Sequence, residues 1–157
     1  MSTNYLKHPI AIGMFLAGGL LFVASLLGVL NTAETYQAAL KVMQGTQQEK
    51  NAQLFLNVSR FFPMGIGVFG LLFSYLAAKN ASKIFSILNI LFSLVLSAGL
   101  GFLYLVVSST EQRGASGSYA ISDLIKPGIG FYIALVGAII LLLASLVSLF
   151  VFKKQKN

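Results

Sequence analysis

The sequence predicts an all-α, polytopic membrane protein: a bundle of four transmembrane helices, with an extracytoplasmic helical hairpin between the first and second. Three observations carry this expectation. Of the 157 residues, 57% are hydrophobic and only 10% charged, whereas charged residues make up about a quarter of a soluble domain. Four apolar stretches, about 9–30, 61–78, 83–107 and 128–152, are long enough at about 1.5 Å per residue to cross a hydrocarbon core of roughly 30 Å. No aspartate, glutamate, lysine, arginine or histidine falls inside them apart from Lys83, which opens the third. Residues 1–157 therefore read as a single four-helix domain.

The first stretch follows Lys7 and His8. A secretory signal has a similar basic start, but its apolar core is roughly 7–15 residues and ends in an A-x-A-like site. Here the run is longer, and Asn31-Thr32-Ala33 is a poor cleavage site. Gly13, Ala17, Ala24 and Gly28 give this helix a seam of small residues, the kind of surface on which membrane helices approach closely.

Residues 31–60 form the longer outer loop. Leu30, Tyr36, Leu40 and Met43 fall near one helical face, Gly45 supplies a stop, and Thr46-Gln47-Gln48-Glu49 reads as a capping box. Residues 31–44 and 47–60 are thus expected to form an antiparallel hairpin projecting about 20 Å, with a plain polar loop as the alternative. Pro63 then fits the first turn of the second span. It also fits the interior of a helix continuous from Thr46, where it leaves the Ser59 carbonyl without a donor. Gly65-Ile66-Gly67-Val68-Phe69-Gly70 spells G-x-G-x-x-G, but a dinucleotide fingerprint needs a strand before it and a solvent-facing helix end after it. In an apolar span these glycines point to close helix contact instead.

Lys79-Asn80-Ala81-Ser82-Lys83 is a very short turn, so the second and third spans are antiparallel neighbours. The third span is the expected organiser of the bundle. Ser86, Asn89, Ser93, Ser97, Gly101 and Tyr104 recur three or four apart on one side, a row suited to helix packing or to lining a path. The other spans are expected to pack around it. The second outer loop, 108–127, ends in an amphipathic run from Tyr119 to Ile125 before Pro127-Gly128 resets the chain. Gly130, Ala134, Gly137, Ala138, Ser145 and Ser148 give the fourth span its own small-residue face.

Charge placement sets an expected orientation. The termini and the short turn carry Lys7, Lys79, Lys83, Lys153, Lys154 and Lys156 without an acid, while Glu34, Glu49, Glu111 and Asp123 all fall in the long loops. The positive-inside rule then puts both termini in the cytoplasm of a plasma-membrane protein. Lys79, Lys83, Lys153, Lys154 and Lys156 would meet anionic headgroups of the bilayer. The net charge of +7 is accounted for in this way, without nucleic acid as a partner.

The chemistry on offer is sparse. Cysteine is absent and His8 is the single histidine, which removes thiol nucleophiles, disulfides and histidine-based zinc or haem sites. His8 and the acids are expected on opposite sides of the membrane, so no Ser-His-Asp set can assemble. No catalytic residue, metal ligand or cofactor is expected, and the chain reads as a non-enzyme. Its topology, with cytoplasmic termini, a larger first outer loop and a smaller second one, resembles the tetraspan plan of claudin-like proteins. The claudin first-loop tryptophans and paired cysteines have no counterpart, since the chain contains neither residue, and no functional residue carries over. The span from Gly130-Phe131-Tyr132 to Leu146 is similar to the last span of many small bacterial four-helix membrane proteins. The expected function is binding, as an accessory subunit or self-associating scaffold of an envelope complex. Its partners are then another membrane protein or further copies of itself. The alternatives are a small transporter or channel component for a neutral solute, and an immunity or resistance protein.

Overall fold

The structure is a computed structural model that describes residues 4–32, 45, 47–108 and 125–152. It is mostly helical. Helix α1 spans Pro9–Leu27, α2 Gln47–Asn80, α3 Lys83–Ser108 and α4 Ile129–Val151; two short strands, β1 Leu30–Thr32 and β2 Ile125–Pro127, complete it. All four helices are long and apolar enough to cross a membrane.

Each boundary has a local cause. Pro9 opens α1 where its missing N–H would be unpaired anyway, and His8 Nδ1 accepts from the Ile10 N–H at 3.2 Å. Gly28 closes the helix at φ +91°, a region that side chains with a Cβ avoid. The expected continuation of helix from residue 31 is therefore corrected: Asn31 and Thr32 belong to β1, which pairs antiparallel with β2 in the register Leu30 with Pro127, Asn31 with Lys126 and Thr32 with Ile125. Gly128 N–H adds a bond to Val29 O at 2.9 Å. This clasp ties the end of α1 to the start of α4. The other half of the expected hairpin, residues 33–44, lies outside the described residues.

Of the two readings of Pro63, the continuous helix is the one observed. With no N–H at position 63, the Ser59 carbonyl lacks its usual donor, and Ser59 Oγ donates back to Leu56 O at 2.9 Å. Thr46 is outside the described residues, and Glu49 Oε2 accepts from Gly45 N–H at 2.7 Å, one residue earlier than a capping box requires. At the other end of α2, Ser82 N–H bonds Ala77 O across Ala81, whose φ is +47°. That is a Schellman closure with alanine where glycine is usual.

The helices form a square in which α1 packs on α2 and α4, and α3 packs on the same two from the opposite corner. The third span is thus not the hub expected from its polar row, because α1 has the barer surface. A Cβ added at Gly67 of α2 would lie 3.0 Å from Gly18 O of α1, and one added at Gly137 of α4 would lie 3.3 Å from Ala17 O. Close backbone approach on two sides of α1 follows from side chains that end at Cα or Cβ.

Buried positions alternate in steps of three and four on the facing helices: Met14, Gly18, Leu21 and Ser25 on α1; Ser86, Asn89, Ser93, Leu96 and Leu100 on α3; Phe131, Ala134, Ala138, Leu141, Ser145 and Ser148 on α4. This is the 3.5-residue seam of left-handed helix packing. With Gly18 against Gly67, Leu27 stands level with Val58, so residues 47–57 of α2 outrun α1 by about 16 Å.

Candidate functional site: a buried polar layer and an apolar groove

The end of the bundle nearest Lys79 and Lys83 carries a polar interior. Ser74, Ser86, Asn89, Ser93, Ser145 and Ser148 are all fully buried. The α2–α3 turn explains one pairing: Ser74 lies six residues before Asn80 and Asn89 six after Lys83, so antiparallel helices set them level. Asn89 Nδ2 donates to Ser74 Oγ at 2.9 Å, and the Ser74 hydroxyl donates to Gly70 O at 2.5 Å. One turn nearer the basic end, Ser148 Oγ pairs with Ser86 Oγ at 2.7 Å and lies 2.7 Å from Ser145 O. With one proton per hydroxyl, both contacts are made when Ser86 donates to Ser148 and Ser148 to the carbonyl. The layer thus stitches α3 to α2 through one bond and to α4 through another.

The predicted row divides. Ser86, Asn89 and Ser93 face the interior, whereas Ser97 is half-buried and Gly101 and Tyr104 are exposed. The cause is angular. A step of four residues advances about 40° beyond a full turn, so the two successive fours from Ser93 to Gly101 swing out of the seam, and Leu96 and Leu100 occupy it. A Cβ at Gly101 would meet nothing within 4 Å. Tyr104 keeps a ring contact with Phe131 at 5.9 Å. Lys79 and Lys83 are exposed, with Lys79 Nζ 5.3 Å from the Tyr75 ring centre; Lys153, Lys154 and Lys156 lie outside the described residues. Sequence reasoning missed Ser74 altogether and placed Ser145 and Ser148 among packing residues only. The turn register was the signal that could have found Ser74.

Between α2 and α3 the contact changes along the helices. Near the turn, Phe85, Phe73, Phe92 and Phe69 stack in succession with ring centres 5.6–6.0 Å apart. Beyond Phe62, whose ring would meet a Cβ at Gly99 at 3.5 Å, the helices enclose an apolar groove of about 300 Å³ bordered by Leu54, Val58, Pro63, Leu100, Phe102 and Leu103. At the basic end, Tyr5 N–H donates to Ala78 O at 2.9 Å and the Tyr5 ring stacks on Phe152 at 4.8 Å, with His8 edge-on to both. Among the described residues, no three His, Asp or Glu side chains are grouped so as to hold a metal.

Ser148→Ala tests the stitching. It removes the partner of Ser86 and is expected to cost about 1 kcal/mol, the usual worth of a hydrogen bond between membrane helices, read as a shift of the unfolding midpoint in mixed micelles. Comparison with known protein families, curated sequences and solved structures finds no match.

Proposed function

We propose that this chain is a non-enzymatic integral membrane protein that crosses the plasma membrane four times with both termini in the cytoplasm. It acts by binding another membrane protein, as an accessory subunit or scaffold, through the end of the bundle that α2 extends. The observation that carries this reading is the engagement of the polar residues of α3 with serines of α2 and α4, which makes them fasteners of the bundle and leaves binding to its surfaces. Supporting it, α2 outruns α1 and presents Leu54, 61% exposed, past the end of α1, with Val58, 48% exposed, level with the last residue of α1.

Site-directed photo-crosslinking from position 54 or 58 in the native membrane is the test. A discrete adduct, lost on placing an aspartate at the neighbouring position of the pair, supports the reading. Labelling of lipid alone from both positions overturns it.

A further inference from the structure

The outer part of α2 is joined to the rest of the helix across a gap in its hydrogen bonding. Pro63 lies inside the helix and has no N–H, so the Ser59 carbonyl one turn earlier lacks its usual donor. The proline ring also crowds that carbonyl, which is why helices kink at such positions. Ser59 adds to the effect, since its hydroxyl donates to Leu56 O at 2.9 Å, a local back-bond of the kind that bends helices. A change of bend here breaks no further backbone bond. Elsewhere in α2 it would.

The supports of the helix change at the same place. Between Pro63 and the short turn, α2 is held from two sides, by α1 at Gly67 and by the stacked phenylalanines of α3. Toward Gln47, α1 ends level with Val58, and the α3 side opens into the apolar groove of about 300 Å³. Ser59 and Pro63 both line that groove, so the weak point of the helix faces the space into which the helix can move. Leu54 lies nine residues from Pro63, about 13 Å along the axis. A change of about 20° at the proline moves it by roughly 5 Å, about the thickness of one side chain.

We infer that Pro63 is a hinge and that residues 47–58 of α2 are an arm that swings toward α3, closing the groove over Phe102 and Leu103. The structure shows the arm open. An unfilled space denies its lining the packing contacts it would otherwise make, and closure restores them. The motion needs no partner. Where one binds at Leu54 and Val58, as proposed above, the hinge sets whether the groove beside them is open.

The chain contains no cysteine, so spin labels can be placed on introduced cysteines without background. One pair is Gln53→Cys with Leu105→Cys, at exposed positions across the groove; a control pair on the other side of the hinge is Leu72→Cys with Leu94→Cys, also exposed. Pulsed electron resonance on the full chain in detergent micelles is expected to give two distances about 5 Å apart for the first pair and one for the control. Pro63→Ala restores a donor to the Ser59 carbonyl and should leave a single distance for both pairs. Gly99→Leu fills the groove from the α3 wall, where a Cβ would lie 3.5 Å from the Phe62 ring, and leaves the hinge untouched; it should remove the closed distance only. A single distance in the unaltered protein overturns the inference, and so do two distances that persist in Pro63→Ala. A closed distance that survives Gly99→Leu overturns it as well, because the arm then moves somewhere other than into the groove. The control pair reports whether each variant is folded.

Discussion

Gly130→Ala is expected to cost about 3 kcal/mol, at the upper end of what overpacking a well-filled interior does, while Gly101→Ala is expected to stabilise by up to about 1 kcal/mol through helix propensity alone. The contrast rests on what each added methyl meets. At Gly130 it would run into the carbonyl oxygens of Ala24 and Gly28, backbone atoms held by the cap of α1 and by the clasp between β1 and β2. They cannot swing aside as a flexible side chain would. At Gly101 the methyl has open space. Unfolding of the two variants in mixed micelles, side by side, gives opposite signs if the α1–α4 contact is as close as described. Equal effects at the two positions would refute it.

Phe152→Ala is expected to cost a similar amount, about 3 kcal/mol, the lower range for deleting a buried phenylalanine side chain. Phe152 is 1% exposed and caps α4, with its N–H on Ser148 O at 2.8 Å. Its ring is the floor on which Tyr5 stacks and against which His8 sets its edge. The effect should be local as well as global. Amide exchange at Tyr5, whose N–H bonds Ala78 O, should accelerate in Phe152→Ala beyond the change in global stability. Phe152→Leu retains most of the buried apolar surface and loses the aromatic stacking, worth about 1 kcal/mol; it should fall between the two. A Phe152→Ala protein with unchanged Tyr5 exchange would show that the amino-terminal segment is held by other contacts.

Much of the architecture was legible because helix length and lack of charge are properties of contiguous residues. The third span, read as 83–107, is the helix Lys83–Ser108, and the fourth, read as 128–152, is Ile129–Val151. The expected close contact in the G-x-G-x-x-G run is present at Gly67, against Gly18 O, and absent at Gly65, where a Cβ would meet nothing within 4 Å. Which glycine is used depends on the rotation of α2 about its axis, and that is set by α1. The same limit governs the polar row of α3. Steps of three and four look equivalent along a sequence, yet only their alternation holds a straight seam against neighbours, so Ser93 stays inside while Gly101 leaves.

The strands were illegible for a related reason. Leu30-Asn31-Thr32 has no strand signal of its own length, and its partner lies 95 residues further on, from Leu30 to Ile125; only the meeting of α1 and α4 brings the two together. The sequence by itself determined that four apolar helices form, where the short turn between α2 and α3 falls, and that the apolar stretches hold no Asp, Glu, Arg or His and no Lys but Lys83, since each depends on local composition and chain geometry. Tertiary structure decided that α1 rather than α3 touches its neighbours most closely, which polar groups pair across the layer, and that Asn89 Oδ1, Ser97 Oγ and Ser145 Oγ are buried without a partner. Those outcomes depend on helix rotation and register, which are fixed when side chains of distant segments fit one another and by nothing nearer in the chain.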